Sequence, residues 1–181
     1  MAKQGNIEIY QKAIPAVELP LLTHRLFLSV AGTKPTPFQR PQHVYVWRLE
    51  ASNEEPIASN DGAPLVLSDG ADNIGLYTAI REALAHIPND SVLALIAPQE
   101  ELAWVFSEGL ASLKQRNFRR RNHQPYTHRD HILEVYQLAT DKGIELLSQK
   151  PIENFEVEKC YVARDEARAR LRHALEQQSN D

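Results

Sequence analysis

Four things are scarce in this chain, and each scarcity removes a class of protein. There is one cysteine, Cys160, so no disulfide can close within the chain. That suits a reducing compartment, and the expected location is the cytoplasm. The seven glycines include no spacing that would build a phosphate-cradling loop. No apolar stretch approaches the roughly 20 residues that cross a bilayer, and residues 1–11 have no apolar core of the kind a signal peptide needs. Neither membrane insertion nor export is expected. An excess of one charge is also missing: 20 Lys and Arg stand against 24 Asp and Glu, a net −4. Any contact with a polyanion must therefore use a local basic patch.

What is present is an ordinary globular balance, 43 % hydrophobic and 24 % charged over 181 residues, enough for one domain with a full core. The expected division is an extension, residues 1–25, lying on a single domain, residues 26–181. Within the extension Ile7, Glu8, Ile9 and Tyr10 alternate like a short strand, and Pro15 and Pro20 interrupt any regular structure after it.

Residues 26–31, 43–49 and 64–67 are rich in β-formers and predict three antiparallel strands. A polar connection, 52–59, and an Asn60-Asp61-Gly62 turn join the last two, and Pro64 suits an edge. The period then changes. Tyr77, Ile80, Leu84 and Ile87 mark a helix that Asp72 or Asn73 can cap. Residues 91–97 are almost wholly apolar, as in a strand buried on both faces. Leu102, Val105, Phe106, Gly109, Leu110 and Leu113 form the stripe of one further helix. A polar, basic stretch, 114–126, leads to a helix over 127–142, capped from residues 127–130 and left through Gly143. A strand, 144–147, and a last helix, 163–177, complete the chain. The predicted fold is α/β: a mixed five-stranded sheet, three antiparallel strands and then alternating helices and strands, with helices on both faces.

The strongest chemical signal is the basic stretch. Lys114, Arg116, Arg119, Arg120 and Arg121 fall close together, no acid lies between Glu108 and Asp130, and Phe118 and Tyr126 add aromatic faces. Arg164, Arg168, Arg170 and Arg172 form a second run, partly offset by Asp165 and Glu166. His123, His128 and His131 have the donor type for zinc, but they flank a helix start and a polar loop with no cysteine near, so a solvated, cation-rich loop is the better reading. Around Cys160 the acids Glu156, Glu158 and Asp165 disfavour a thiolate. Ser29 and Ser107 lack the setting of a nucleophile. No metal and no cofactor is expected.

Residues 72–84 (Asp72-Asn73-Ile74-Gly75-Leu76-Tyr77-Thr78-Ala79-Ile80-Arg81-Glu82-Ala83-Leu84), residues 129–134 (Arg129-Asp130-His131-Ile132-Leu133-Glu134) and the loop of Asp141, Lys142 and Gly143 resemble the first helix, the post-protrusion helix and the entry to the fifth strand of type 1 ribonuclease H. The resemblance runs over residues 26–175 and implies that family's mixed sheet. It also implies a site of four carboxylates holding two Mg²⁺ ions. Matching the segments puts Ala31, Leu76, Ala97 (or Pro98) and Arg168 at those four positions, and none can ligate Mg²⁺. The resemblance further implies that the basic protrusion grips nucleic-acid phosphates and that Asn73 approaches a sugar or base.

Three functions follow, in order of preference. The first is a catalytically inactive module that binds nucleic acid (RNA, DNA or a hybrid) through residues 114–121. The second is a protein-interaction module using an apolar former active-site cleft. The third is a divergent nuclease whose metal site has moved to Asp69, Asp72, Glu100 and Glu101, although turn and helix-end roles account for these four acids without it.

Overall fold

A computed structural model describes residues 21–180; the strand expected around Ile7–Tyr10 and most of the expected extension lie outside them. The first strands are β1 (His24–Gly32) and β2 (Gln42–Ala51), antiparallel, with Val30 opposite Tyr45 and Ala31 opposite Val44. On the far side of β1, β5 (Val92–Ile96) runs parallel, and β6 (Glu145–Gln149) runs parallel to β5. Two short strands complete the sheet along β2: β3 (Pro56–Ser59) and β4 (Ser68–Asp69). The order is β3-β2-β1-β5-β6, with β4 also on β2, so the mixed sheet has six strands rather than five.

The third strand is displaced from its expected place. Residues 64–67 make no ladder, and β3 forms inside the stretch expected to be a polar connection. The cause is Asn60. Its side-chain oxygen accepts from the Trp47 amide (3.0 Å) and its side-chain nitrogen donates to the Tyr45 carbonyl (2.9 Å). One amide group thus satisfies the β2 edge that a strand at 64–67 would have paired with.

The helices cover both faces, as predicted. On one face lie α1 (Asp72–Leu84) and α4 (Arg129–Asp141), over Leu26, Leu28, Trp47, Leu49, Leu93 and Leu95. On the other lies α5 (Asn154–Ser179), whose Ala163 and Ala167 meet Ala31, Val44 and Val46, and whose Cys160 meets Phe27, Ala94 and Ile96. The alternation of strand side chains produces this separation. α5 starts well before the expected residue 163, because Glu153 and Glu156 form a reciprocal capping box. Gly143, at φ 65°, closes α4 as expected. At the starts of α1 and α4 the expected side-chain caps are not made: the cap residues are Ala71 and His128.

The helix predicted over 102–113 is two helices, α2 (Glu100–Val105) and α3 (Glu108–Gln115). Ser148, reaching from β6, accepts from the Phe106 amide (3.1 Å) and donates to the Ala103 carbonyl (3.1 Å). A hydroxyl inserted into the backbone ladder breaks the helix there.

Candidate functional site

The basic stretch folds into a small hairpin between α3 and α4. The Arg120 amide donates to the Gln124 carbonyl (2.7 Å), and Arg119 bridges to Pro125. At its base the Tyr126 amide donates to the Phe118 carbonyl (2.9 Å), Phe118 is buried, and the Tyr126 ring lies 6.1 Å from that of Trp104. Phe118 therefore offers no face to solvent, and Tyr126 is half-buried.

The cations behave differently from one another. Lys114 lies over the Tyr136 ring at 4.3 Å, held against α4. Arg116 donates to the Ser112 hydroxyl (2.9 Å), Arg119 to the His123 carbonyl (3.0 Å) and Arg120 to the Thr127 hydroxyl. These bonds orient the guanidiniums without neutralising them. Among the described residues none of Arg116, Arg119, Arg120 and Arg121 forms an ion pair, and all four are exposed. The second basic run is not comparable. Arg170 is paired with Glu166 (2.6 Å) and Asp61 (3.3 Å), Arg164 is paired with Asp165 (3.3 Å), and only Arg168 and Arg172 of that run stand unpaired among the described residues, beside Asp165 and Leu171.

Where the hairpin meets the sheet, Glu101 gathers three donors. Asn73 donates to it at 2.7 Å, the Tyr77 hydroxyl at 3.4 Å and His128 Nδ1 at 3.3 Å. A carboxylate only accepts, so Nδ1 of His128 carries the proton. Burial, then Glu101, pushes the Tyr77 hydroxyl far above its ordinary value, so it remains a donor. The His128 and His131 rings both pack on Tyr77, at 5.9 and 6.3 Å. Nothing in the amino-acid pattern marked Glu101 as a hub, because its partners lie 24 to 28 residues away.

The four positions matched to the family's carboxylates do not share one pocket. Ala31 sits under α5, whereas Leu76 and Ala97 belong to the core on the α1 face, and Arg168 is exposed on α5. Ala31, Leu76 and Ala97 are all buried, so they offer a partner protein no open apolar cleft. The groups that converge between β1 and α1 are Val30, Gly75 and His43. A Cβ on Gly75 would stand 2.6 Å from His43 Cδ2 and 3.1 Å from Val30 Cγ2, and His43 Nδ1 lies 3.1 Å from the Gly70 carbonyl.

This donor set does not fit a carboxylate-held pair of metal ions. The relocated acids do not supply one either. Glu100 pairs with Lys150 (3.0 Å), Asp72 accepts from the Asn73 amide (2.9 Å), and Asp69 lies 3.4 Å from the Gln42 side chain. Among the described residues no group of three or more His, Cys, Asp or Glu stands close enough to hold a metal ion, His123, His128 and His131 included. Burial and Glu156 push the Cys160 thiol up to about 11, the direction expected from its acidic neighbours. No helix is long and apolar enough to cross a membrane among the described residues.

No protein-family model matches the chain, and no curated protein does. Solved structures do. The ribonuclease H domain of prototype foamy virus is similar over 82 % of this chain and 93 % of its own, at TM-score 0.59 and 13 % identity. The foamy viral protease-reverse transcriptase in complex with an RNA/DNA hybrid is similar over 93 % of this chain, at TM-score 0.55 and 11 % identity. This chain spans only 22 % of that protein's length. LC11-RNase H1, isolated from compost by a metagenomic approach, is similar over 81 % of this chain and 96 % of its own, at TM-score 0.51 and 10 % identity. The chain has a ribonuclease-H-like fold.

Proposed function

We propose that this chain is a ribonuclease-H-like module that binds nucleic acid through its basic hairpin and does not hydrolyse it. The observation that carries this reading is the contrast between two sites on one scaffold. Arg116, Arg119, Arg120 and Arg121 are exposed and without acidic partners among the described residues, while Val30, His43 and Gly75 fill the space between β1 and α1 with groups that hold no Mg²⁺. Guanidiniums held by neutral acceptors keep their full charge and a forked set of donors, which suits phosphate oxygens. The fold adds support, since the foamy viral protease-reverse transcriptase that shares it has been solved with an RNA/DNA hybrid.

Contacts of this kind read the backbone rather than the bases, so the affinity is sequence-independent and falls with salt. Asn73 is a secondary contact: its side-chain nitrogen is engaged by Glu101, which leaves its carbonyl for a ligand. The test is fluorescence anisotropy of a labelled RNA/DNA hybrid across a salt series. The wild type is expected to give a linear fall of log K with log salt. Arg119→Ala/Arg120→Ala/Arg121→Ala is expected to weaken binding and to flatten the slope by roughly 1 for each phosphate that an arginine no longer neutralises. An unchanged slope in a folded triple variant defeats the assignment of the hairpin.

A further inference from the structure

We infer that Glu101 is a positioning residue: it fixes the base of the basic hairpin against the first turns of α1 and so sets the pose in which the arginines meet a ligand. The inference rests on the nucleic-acid reading for its purpose, but its structural content stands on separate observations. Glu101 is the meeting point of three elements. It lies in the first turn of α2, accepts from Asn73 and Tyr77 of α1, and accepts from His128 at the exit of the hairpin.

His128 is the part of this arrangement that needs holding. It adopts φ 58° and ψ 24°, a left-handed conformation that a residue with a Cβ takes at a cost. Its side chain makes no cap bond to α4, yet its carbonyl accepts the Ile132 amide (3.0 Å) and so opens that helix. Such a conformation persists where the surroundings determine it. Here they do so twice, through the bond to Glu101 and through the packing of the imidazole on buried Tyr77. Only two residues separate His128 from Pro125, the residue bridged to Arg119, so the torsion of His128, together with those of Asn117 (φ 49°) and Phe118 (φ 54°) on the other arm, bears on the direction in which the hairpin leaves the sheet. Glu101 therefore acts on a ligand indirectly, by holding a pose. Its own charge lies against Asn73, Tyr77 and His128 and is mostly sheltered, with 24 % of its side chain exposed.

Amide hydrogen exchange separates this inference from the function it serves. The Arg120, His123 and Tyr126 amides are hydrogen-bonded within the hairpin and report its order directly. In Glu101→Ala these three are expected to exchange faster than in the wild type by roughly 2- to 10-fold, the factor that one ordinary hydrogen bond commands, while amides of β1 and β2 keep their rates. His128→Ala is expected to do the same. The double variant is expected to have less than the combined effect of the two single changes, because the contact between Glu101 and His128 is lost only once. Hybrid affinity should fall by a similar factor with the salt slope unchanged, since no cation is removed.

Wild-type exchange at the three amides in a folded Glu101→Ala protein overturns the inference. So does an additive double variant, uniform acceleration across the sheet, or a changed salt slope, which would make Glu101 act by repelling phosphate. If the hairpin amides accelerate and the wild type binds no hybrid, the positioning role stands and the nucleic-acid reading falls.

Discussion

One missing side chain decides what lies between β1 and α1. Gly75 is the only residue type that lets the helix approach His43 and Val30 at the observed distance. Gly75→Ala would force a Cβ against the imidazole and should cost about 1–3 kcal/mol in urea unfolding, the range for overpacking a filled core. His43→Ala made alone leaves a void, and the double variant should cost less than the sum of the two, because the deleted ring makes room for the new methyl. Additive costs would show that the two residues do not share this space. The amino-acid pattern reveals the absence of acids here but not which residues face each other. A match of strand one by local flavour selects Ala31, and a shift of one residue in a strand turns the side chain to the opposite face. Val30 packs with the core on the α1 face and Ala31 packs under α5. A second residue-scale consequence concerns His131. Burial, then Arg81 and His128, hold its pKa below the ordinary value. Between that value and the unfolded one the unfolded chain binds more protons, so stability rises with pH across this window, and below it the loss is complete. Denaturation midpoints measured from pH 7.5 downward should fall as pH drops through the region below about 6.5, and His131→Gln should fall less steeply. Parallel curves would remove His131 as the cause.

At the scale of elements, local patterns were legible and intrusions from elsewhere in the chain were not. The apolar run that became β5 and the β-former-rich stretches that became β1 and β2 announce themselves, since each depends only on its own residues. The break between α2 and α3 does not, because it is made by Ser148, 42 residues beyond the amide it binds. Ser148→Ala strands the Phe106 amide in the core. It should lower stability by about 1–3 kcal/mol, with faster exchange first at that amide. A loss no larger than that of an exposed Ser→Ala change would mean the break is set by the α2–α3 segment itself. The same reasoning covers β3. An asparagine side chain that replaces a strand, as Asn60 does along β2, has no signature in hydropathy. The hairpin lies between these cases. Its charge is plain in the amino-acid order, whereas the carboxylate at its base is a non-local pairing.

For the whole molecule, the distribution of charge matters more than its sum. A net −4 gives no general attraction for a polyanion. One group of acids, however, is committed to cations away from the hairpin. Glu50, Glu54, Asp61 and Glu166 pair with Lys159, Arg48 and Arg170 between α5 and the β2–β3 edge, remote in the fold from the hairpin. Lys159, Arg48 and Arg170 are thus paired on one flank, while among the described residues the hairpin arginines are unpaired, on a ribonuclease-H-like sheet whose β1–α1 junction is filled by a buried imidazole. Grip without cutting is what this arrangement supports. The most direct test is one titration of a labelled RNA/DNA hybrid, run in EDTA and again in Mg²⁺ or Mn²⁺ at matched ionic strength, with the length of both strands read at the end. The account predicts binding in EDTA at least as tight as with the divalent ion, and full-length strands in both. Binding that appears only with the metal, or strands shortened in its presence, would contradict it.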